Sequence, residues 1–232
     1  MKHRVGVVLS GCGVMDGTEI HEAVLTFLAI DRAGAEAVCL APDIECEAVN
    51  HLTNQPMGEH RNVLVESARI ARGRVRDIAK VDAEEVDAVI LPGGYGAAKN
   101  LSTFAGDGAH CTVQPDVERF LRAVHAAGKP IGAICIALAV IARLFGSEHP
   151  TVTIGHDAGT ARALEAMGAK HQQASCAEAV VDGERLIVTT PAYMLASWTG
   201  EAWPGIERLV NEVVALAARH RSGAAAAARR GV

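Results

Sequence analysis

Residues 129–140 read KPIGAICIALAV. Positions 131–134 form a short run that is apolar throughout, the pattern of a strand covered on both faces. From Ile136 to Leu144 the composition turns to Ala, Leu and Ile over the length of a helix. A buried strand that passes directly into a helix is the repeating unit of a mostly parallel sheet. Cys135 stands at the joint, so the stretch that sets the fold class also raises a chemical question.

The same alternation extends in both directions. Residues 5–9 end at SGCG, 36–40 at Ala41-Pro42, 87–91 at PGG and 186–190 at Pro191. Between them lie helix-like segments at 18–33, 62–71, 114–127, 136–144, 158–167 and 206–218. Gly34, Gly128 and Gly168 follow three of these segments, where a left-handed cap is wanted. Asp182-Gly183 between AVV and RLIV predicts a tight hairpin, a small antiparallel piece in the parallel pattern. The order predicts a three-layer α/β/α sandwich with right-handed crossovers. The longest irregular stretch, 42–61, is expected near the site or at a subunit contact. No linker divides residues 1–217, which form one domain. The tail 218–232, ARHRSGAAAAARRGV, either extends the last helix or is disordered.

Composition narrows the function. Half of the 232 residues are hydrophobic and only 3% are aromatic, so Ala, Val, Leu and Ile must build the core. The net charge of -5 and the lack of a basic face argue against nucleic acid as a partner. No apolar run is long enough to span a membrane, and the N-terminus lacks the pattern of a signal peptide. The 6 cysteines and 10 histidines show no metal-ligand spacing, which predicts reduced thiols in the cytoplasm and no metal.

In an open parallel sheet the ligand crevice lies beyond the carboxyl ends of the strands. There this chain places SGCGVMDG, PGGYGAAKN, Cys135, TIGHD and TTPAYM. Cys135 has the position of a nucleophile elbow, with Gly132, Ala133 and Ala137 small enough for a tight bend. The helix it opens would favour thiolate over thiol. Position alone leaves a second reading open, that Cys135 is a small core hydrophobe, since Ala137 stands where the elbow pattern has a glycine. Gly93 and Gly94 offer unobstructed amides, and Gly94 with the amide of Ile136 could form an oxyanion hole. Glu22 heads a stripe of small residues, Thr26, Ala29 and Ala33, opposite a bulky face of Ile20, Val24, Phe27 and Leu28. A carboxyl there can be covered and kept protonated. Glu19 is expected to remain in water at the helix N-terminus. His156 is either a base for Cys135 or an ordinary loop histidine, and Cys12 could line the same pocket.

Together, the motifs RVGVVLSGCGVMDGTEIHEAV, NHLTNQPMGEHRNVLVESARI, VILPGGYGAAKNLSTFA, KPIGAICIA, TIGHD and VTTPAYMLA resemble the ElbB-type isoprenoid-biosynthesis glyoxalases. These belong to the DJ-1/PfpI branch of the class I glutamine amidotransferase-like superfamily. The resemblance covers residues 1 to 217 and implies a flavodoxin-like fold. It also implies Cys135 as nucleophile, Glu22 as the helix-borne acid, and Gly94 with Ile136 as amide donors. The true amidotransferases carry a late histidine where this chain has TTPAYM, which disfavours glutamine hydrolysis. The family's histidine lies near Gly155 and His156.

The implied activity is a cofactor-independent glyoxalase that turns glyoxal, and methylglyoxal in a wider reading, into the 2-hydroxy acid. Cys135 would form a hemithioacetal, and Glu22, with or without His156, would move the proton. Two alternatives use the same residues: a redox sensor at Cys135, and a PfpI-like amidase or deglycase. The small-residue stripe and the 42–61 excursion hint at a homodimer, with a small dicarbonyl as substrate.

Overall fold

The structure, a computed structural model, describes the backbone of residues 2–230 and side chains through residue 222. Along the chain run β1 (Arg4–Val8), α1 (Ile20–Arg32), β2 (Glu36–Ala41), β3 (Glu45–Asn50), β4 (Gln55–Asn62), α2 (Val63–Ile70), β5 (Val75–Asp77) and β6 (Ala88–Leu91). There follow α3 (Tyr95–Lys99), α4 (Phe104–Asp107), α5 (Pro115–Ala126), β7 (Ile131–Ile134), α6 (Leu138–Phe145), β8 (Thr151–Val152) and α7 (Ala158–Ala166). The chain closes with β9 (Lys170–His171), β10 (Val180–Asp182), β11 (Ile187–Thr190) and α8 (Thr199–Arg230).

Seven strands form the central sheet in the order β10-β11-β7-β6-β1-β2-β5. All neighbours are parallel except β10, which runs against β11. The short apolar runs become strands because both faces are covered. On β1, Val5 and Val7 pack with α1 and α8, while Val8 joins α5 and α6 on the other side. This is the three-layer α/β/α sandwich that the sequence predicts. β1 leads outward to β2 on one side and has β6 on the other, so a crevice opens at the carboxyl ends of β1 and β6. β7, next to β6, delivers Cys135 to its rim.

Gly34, Gly128 and Gly168 take φ of 71°, 68° and 105°, the left-handed caps expected after α1, α5 and α7. Three features differ from expectation. The stretch 42–61 is not irregular: β3 and β4 form an antiparallel hairpin, with a register shift between Glu47 and Val49. Its second strand, QPMGEHRN, is almost wholly exposed and carries Pro56 and Gly58, so no apolar alternation announces it. The turn after Asp182 is four residues long, with Leu186 rather than Gly183 in the left-handed region. Helix α8 begins at Thr199, because Pro204 near its start forfeits one hydrogen bond without breaking it. The same helix carries the tail to Arg230, and Gly231 and Val232 lie outside the described residues.

The small-residue stripe of α1 is covered as expected, but by α8 of the same chain rather than by a second copy. Glu22, Thr26 and Ala29 are buried, and the helix packs on α8. Ile20, Val24 and Leu28 stand 41%, 50% and 45% exposed. The small-residue stripe is therefore interior and is not available as a surface for a second copy.

Candidate active site

Where β7 ends, the chain turns at Cys135 with φ of 55°. A non-glycine residue held in this region costs about 1–3 kcal/mol, and the surrounding structure must over-determine it. The turn runs Cys135–Ala137 as a single tight 3-10 turn before α6 begins at Leu138. Cys135 itself is only 7% exposed.

The PGG segment after β6 is built around this cysteine. A Cβ on Gly93 would stand 2.6 Å from Cys135 Cβ, 2.7 Å from Glu22 Oε2 and 2.9 Å from Ile134 O. No other residue fits between the acid and the thiol. Gly93 N–H donates to Glu22 Oε2 at 2.7 Å, so this amide serves the carboxyl rather than an oxyanion. Gly94, at φ of 97°, turns its own amide toward Cys135. Together with the amide of Ile136 it faces the sulfur.

Glu22 is fully buried on the first turn of α1. Its Oε1 accepts from Tyr193 N at 3.3 Å, in the TTPAYM turn after β11. Burial, aided by the charge of Glu19, pushes its pKa up to about 8, against the pull of the Gly93 and Tyr193 amides. Burial also pushes the Cys135 thiol well above its ordinary range, and an ionised Glu22 adds to the effect. The two groups together resist a double negative charge. This corrects the expectation that a helix start would favour the thiolate: the elbow is a 3-10 turn, and burial outweighs the two amides. Protonated Glu22 removes the repulsion and leaves the sulfur facing two N–H donors.

A cleft of about 490 Å³ opens over Cys135, lined by Glu19, Gly94, Tyr95, Ile136, Asp157 and Tyr193 among others. Glu19, expected in water, is 9% exposed and caps α1, with its Oε2 accepting from Glu22 N at 2.6 Å. Its own N–H donates to Gly93 O at 2.9 Å, which ties the start of α1 to the PGG turn. His21 Nδ1 lies 3.0 Å from Tyr193 Oη and 3.5 Å from Glu19 Oε1.

A cysteine elbow after one strand, a PGG turn after the neighbouring one and a buried glutamate from the first helix stand together here. The model of the DJ-1/PfpI family matches residues 12–196. The chain belongs to the DJ-1/PfpI family. It is 48% identical to a human protein, glutamine amidotransferase-like class 1 domain-containing protein 3, mitochondrial, over 92% of this chain and 83% of the relative. It superposes with a TM-score of 0.87 on an isoprenoid biosynthesis protein with amidotransferase-like domain from Ehrlichia chaffeensis. That pair is 38% identical and covers 92% and 99% of the two chains. Drosophila melanogaster DJ-1beta shares the fold, with a TM-score of 0.57 at 19% identity, covering 94% of this chain and 97% of that one.

Within this DJ-1/PfpI chain the residues expected from sequence fall into two groups. Cys135, Glu22, Gly93, Gly94 and Ile136 come together. His156 and Cys12 do not join them. His156 is exposed and does not line the cleft. It follows β8, which pairs with β9 in a separate two-stranded sheet rather than in the main one. Cys12 is half-buried among Glu66, Arg69, Asp16 and Arg61, and burial and the acids raise its pKa. Glu19, His21 and Tyr193 are the additions. Tyr193 sits in a strand-end motif visible in the sequence, but its role depends on α1 lying across the sheet.

Proposed function

We propose that the chain is an ElbB-type glyoxalase that converts glyoxal to glycolate without a cofactor, and methylglyoxal to lactate by the same route. The observation that carries this reading is Cys135 in a left-handed turn, with the Gly94 and Ile136 amides at its sulfur and Glu22 held near its working range. The sulfur adds to one aldehyde carbon: the C–S bond forms, and the carbonyl pair moves to oxygen between the two amides. Each such donor contributes about 3 kcal/mol in enzymes of this kind. The thiol proton passes to the new alkoxide, with Glu22 as relay, because its pKa of about 8 lies close to neutral pH. A carbon-bound proton then moves to the neighbouring carbon through an enediol. The first carbon is thereby oxidised to a thioester and the second reduced to an alcohol, with no external electron acceptor. Water cleaves the thioester, releases the hydroxy acid and restores the thiol.

The cleft over Cys135 favours catalysis over a purely sensing role, since a sensor needs access for peroxide only. Loss of glyoxal with matching appearance of glycolate tests the reading. Replacing Cys135 by Ser is expected to lower turnover by at least about 1000-fold; a variant as active as the wild type would refute it.

A homodimer would use the exposed Ile20, Val24 and Leu28 edge of α1, and sedimentation at micromolar concentration would detect it. No helix among the described residues is long and apolar enough to cross a membrane. The cytoplasmic expectation has a rival in the mitochondrial relatives.

A further inference from the structure

We propose that Glu19, steadied by His21 and Tyr193, is the base that carries the proton between the two substrate carbons. The proposal rests on the glyoxalase reading above and adds a second carboxylate to it.

The need for such a group follows from how Glu22 is held. One of its oxygens accepts from Gly93 N and the other from Tyr193 N, and the carboxyl also faces Cys135. It can relay the thiol proton beneath the sulfur. With both oxygens engaged and no share in the cleft lining, it is not the group that meets a substrate C–H bond. His156, the other base expected, lies outside the cleft. Among the cleft's carboxylates, Asp157 caps α7: its Oδ1 accepts from Thr160 N at 2.6 Å, and this bond holds its pKa below the ordinary value. Asp157 is also exposed, so its carboxylate stands in solvent rather than against the substrate.

Glu19 caps its helix in the same way, but it is buried and tied to the PGG turn. One oxygen is fixed by Glu22 N, while the other faces His21 Nδ1 at 3.5 Å and the residue borders the cleft with Cys135 and Gly94. Its backbone N–H bonds Gly93 O, so the carboxylate is placed relative to the same turn that places the oxyanion donors. Tyr193 also lines the cleft, with its hydroxyl 3.0 Å from His21 Nδ1 and the two rings 5.7 Å apart. Burial and the nearby carboxylates of Glu19, Glu22 and Glu201 keep that phenol protonated. In the hemithioacetal, Glu19 removes the hydrogen from the sulfur-bearing carbon as a proton. The C–H pair becomes the C=C bond of the enediol, the aldehyde C=O pair moves to its oxygen, and that oxygen takes a proton from Tyr193 Oη. Glu19 returns its proton to the second carbon as the first carbon's hydroxyl proton passes back to Tyr193 Oη and the thioester carbonyl forms. Protons and electrons balance within the substrate.

The test compares wild type, Glu19→Gln, Glu19→Asp, Tyr193→Phe and His156→Ala by glyoxal turnover and by the rate at which iodoacetamide alkylates Cys135. Glutamine keeps an oxygen for Glu22 N, so the cap of α1 survives. The expected result for Glu19→Gln is a kcat at least about 100-fold lower, with KM and the alkylation rate within about 3-fold of wild type. Glu19→Asp should recover part of the loss, Tyr193→Phe should lose about 10-fold in kcat with alkylation unchanged, and His156→Ala should match wild type. Undiminished kcat in Glu19→Gln would overturn the proposal, as would alkylation falling in step with kcat, which would mean that Glu19 acts through Cys135. A wild-type protein that leaves glyoxal untouched would instead refute the reading beneath it.

Discussion

The carboxyl end of β7 and the loop after β8 each present a chemically capable side chain, Cys135 in one and His156 in the other. Both follow a short strand and precede a helix. Cys135 ends a strand flanked on both sides in the main sheet, so its turn is packed against the neighbouring PGG turn and against α1. His156 follows a two-residue strand that pairs only with β9, and the chain there opens toward solvent. A strand end becomes a site when the strands beside it end at the same level and supply amides and acids. A reactive side chain on a satellite strand has no such neighbours.

The packing behind this difference can be broken most directly at Gly93. Substitution by Ala places a methyl group against Cys135 Cβ, the Glu22 carboxyl and the Ile134 carbonyl, and the last of these is backbone that cannot swing away. The expected cost is about 3 kcal/mol of stability, read as a lower denaturation midpoint, together with loss of detectable glyoxal turnover. A Gly93→Ala protein with native stability and activity would mean that the acid and the thiol are not held as described.

Glu22 offers a second way to sharpen the comparison, through pH. Its folded pKa is about 8 against an ordinary value of 4.5, so across that window the folded state keeps a proton that the unfolded state has lost. Its contribution to stability is present in full below pH 4.5 and is lost as pH rises through 8. Wild-type stability should therefore fall by a few kcal/mol, order of magnitude, from pH 5 to pH 9. Glu22→Gln, which keeps the shape and carries no titrating proton, should give a shallower slope in urea denaturation at pH 5, 7 and 9. Parallel slopes in the two proteins would show that Glu22 is ionised throughout.

How far the sequence announces all this depends on where each residue's partners lie along the chain. The main strands and Cys135 are legible because burial on both faces leaves an apolar run with a sharp end, as in 131–134. Glu22 is legible because the small residues Thr26 and Ala29 on its side of the helix fit close packing. The β3–β4 hairpin is not, since QPMGEHRN lies in water and needs no apolar alternation. The burial of Glu19 is not either: it depends on the PGG turn, far away in sequence, folding back over the start of α1. His156 was the opposite case, a residue of the right type whose strand is too short to say which sheet it joins.

The smallest effect expected is the one that tests the comparison from its other side. His156→Ala removes an exposed side chain for which the structure shows no hydrogen bond among the described residues, so stability should change by less than about 0.5 kcal/mol. Glyoxal turnover should stay within about 2-fold, because the exposed imidazole does not line the cleft. The neighbouring Gly155 shows what the loop is for: at φ of 83° it leaves no room for a Cβ against Leu195, the residue that follows the Tyr193-Met194 wall of the cleft. The segment thus supports that wall and lends Asp157 to the cleft lining, while His156 stays outside it. A drop of 100-fold in His156→Ala turnover, with Cys135 alkylation intact, would put the histidine back in the reaction and require the loop after β8 to close over the cleft when substrate binds.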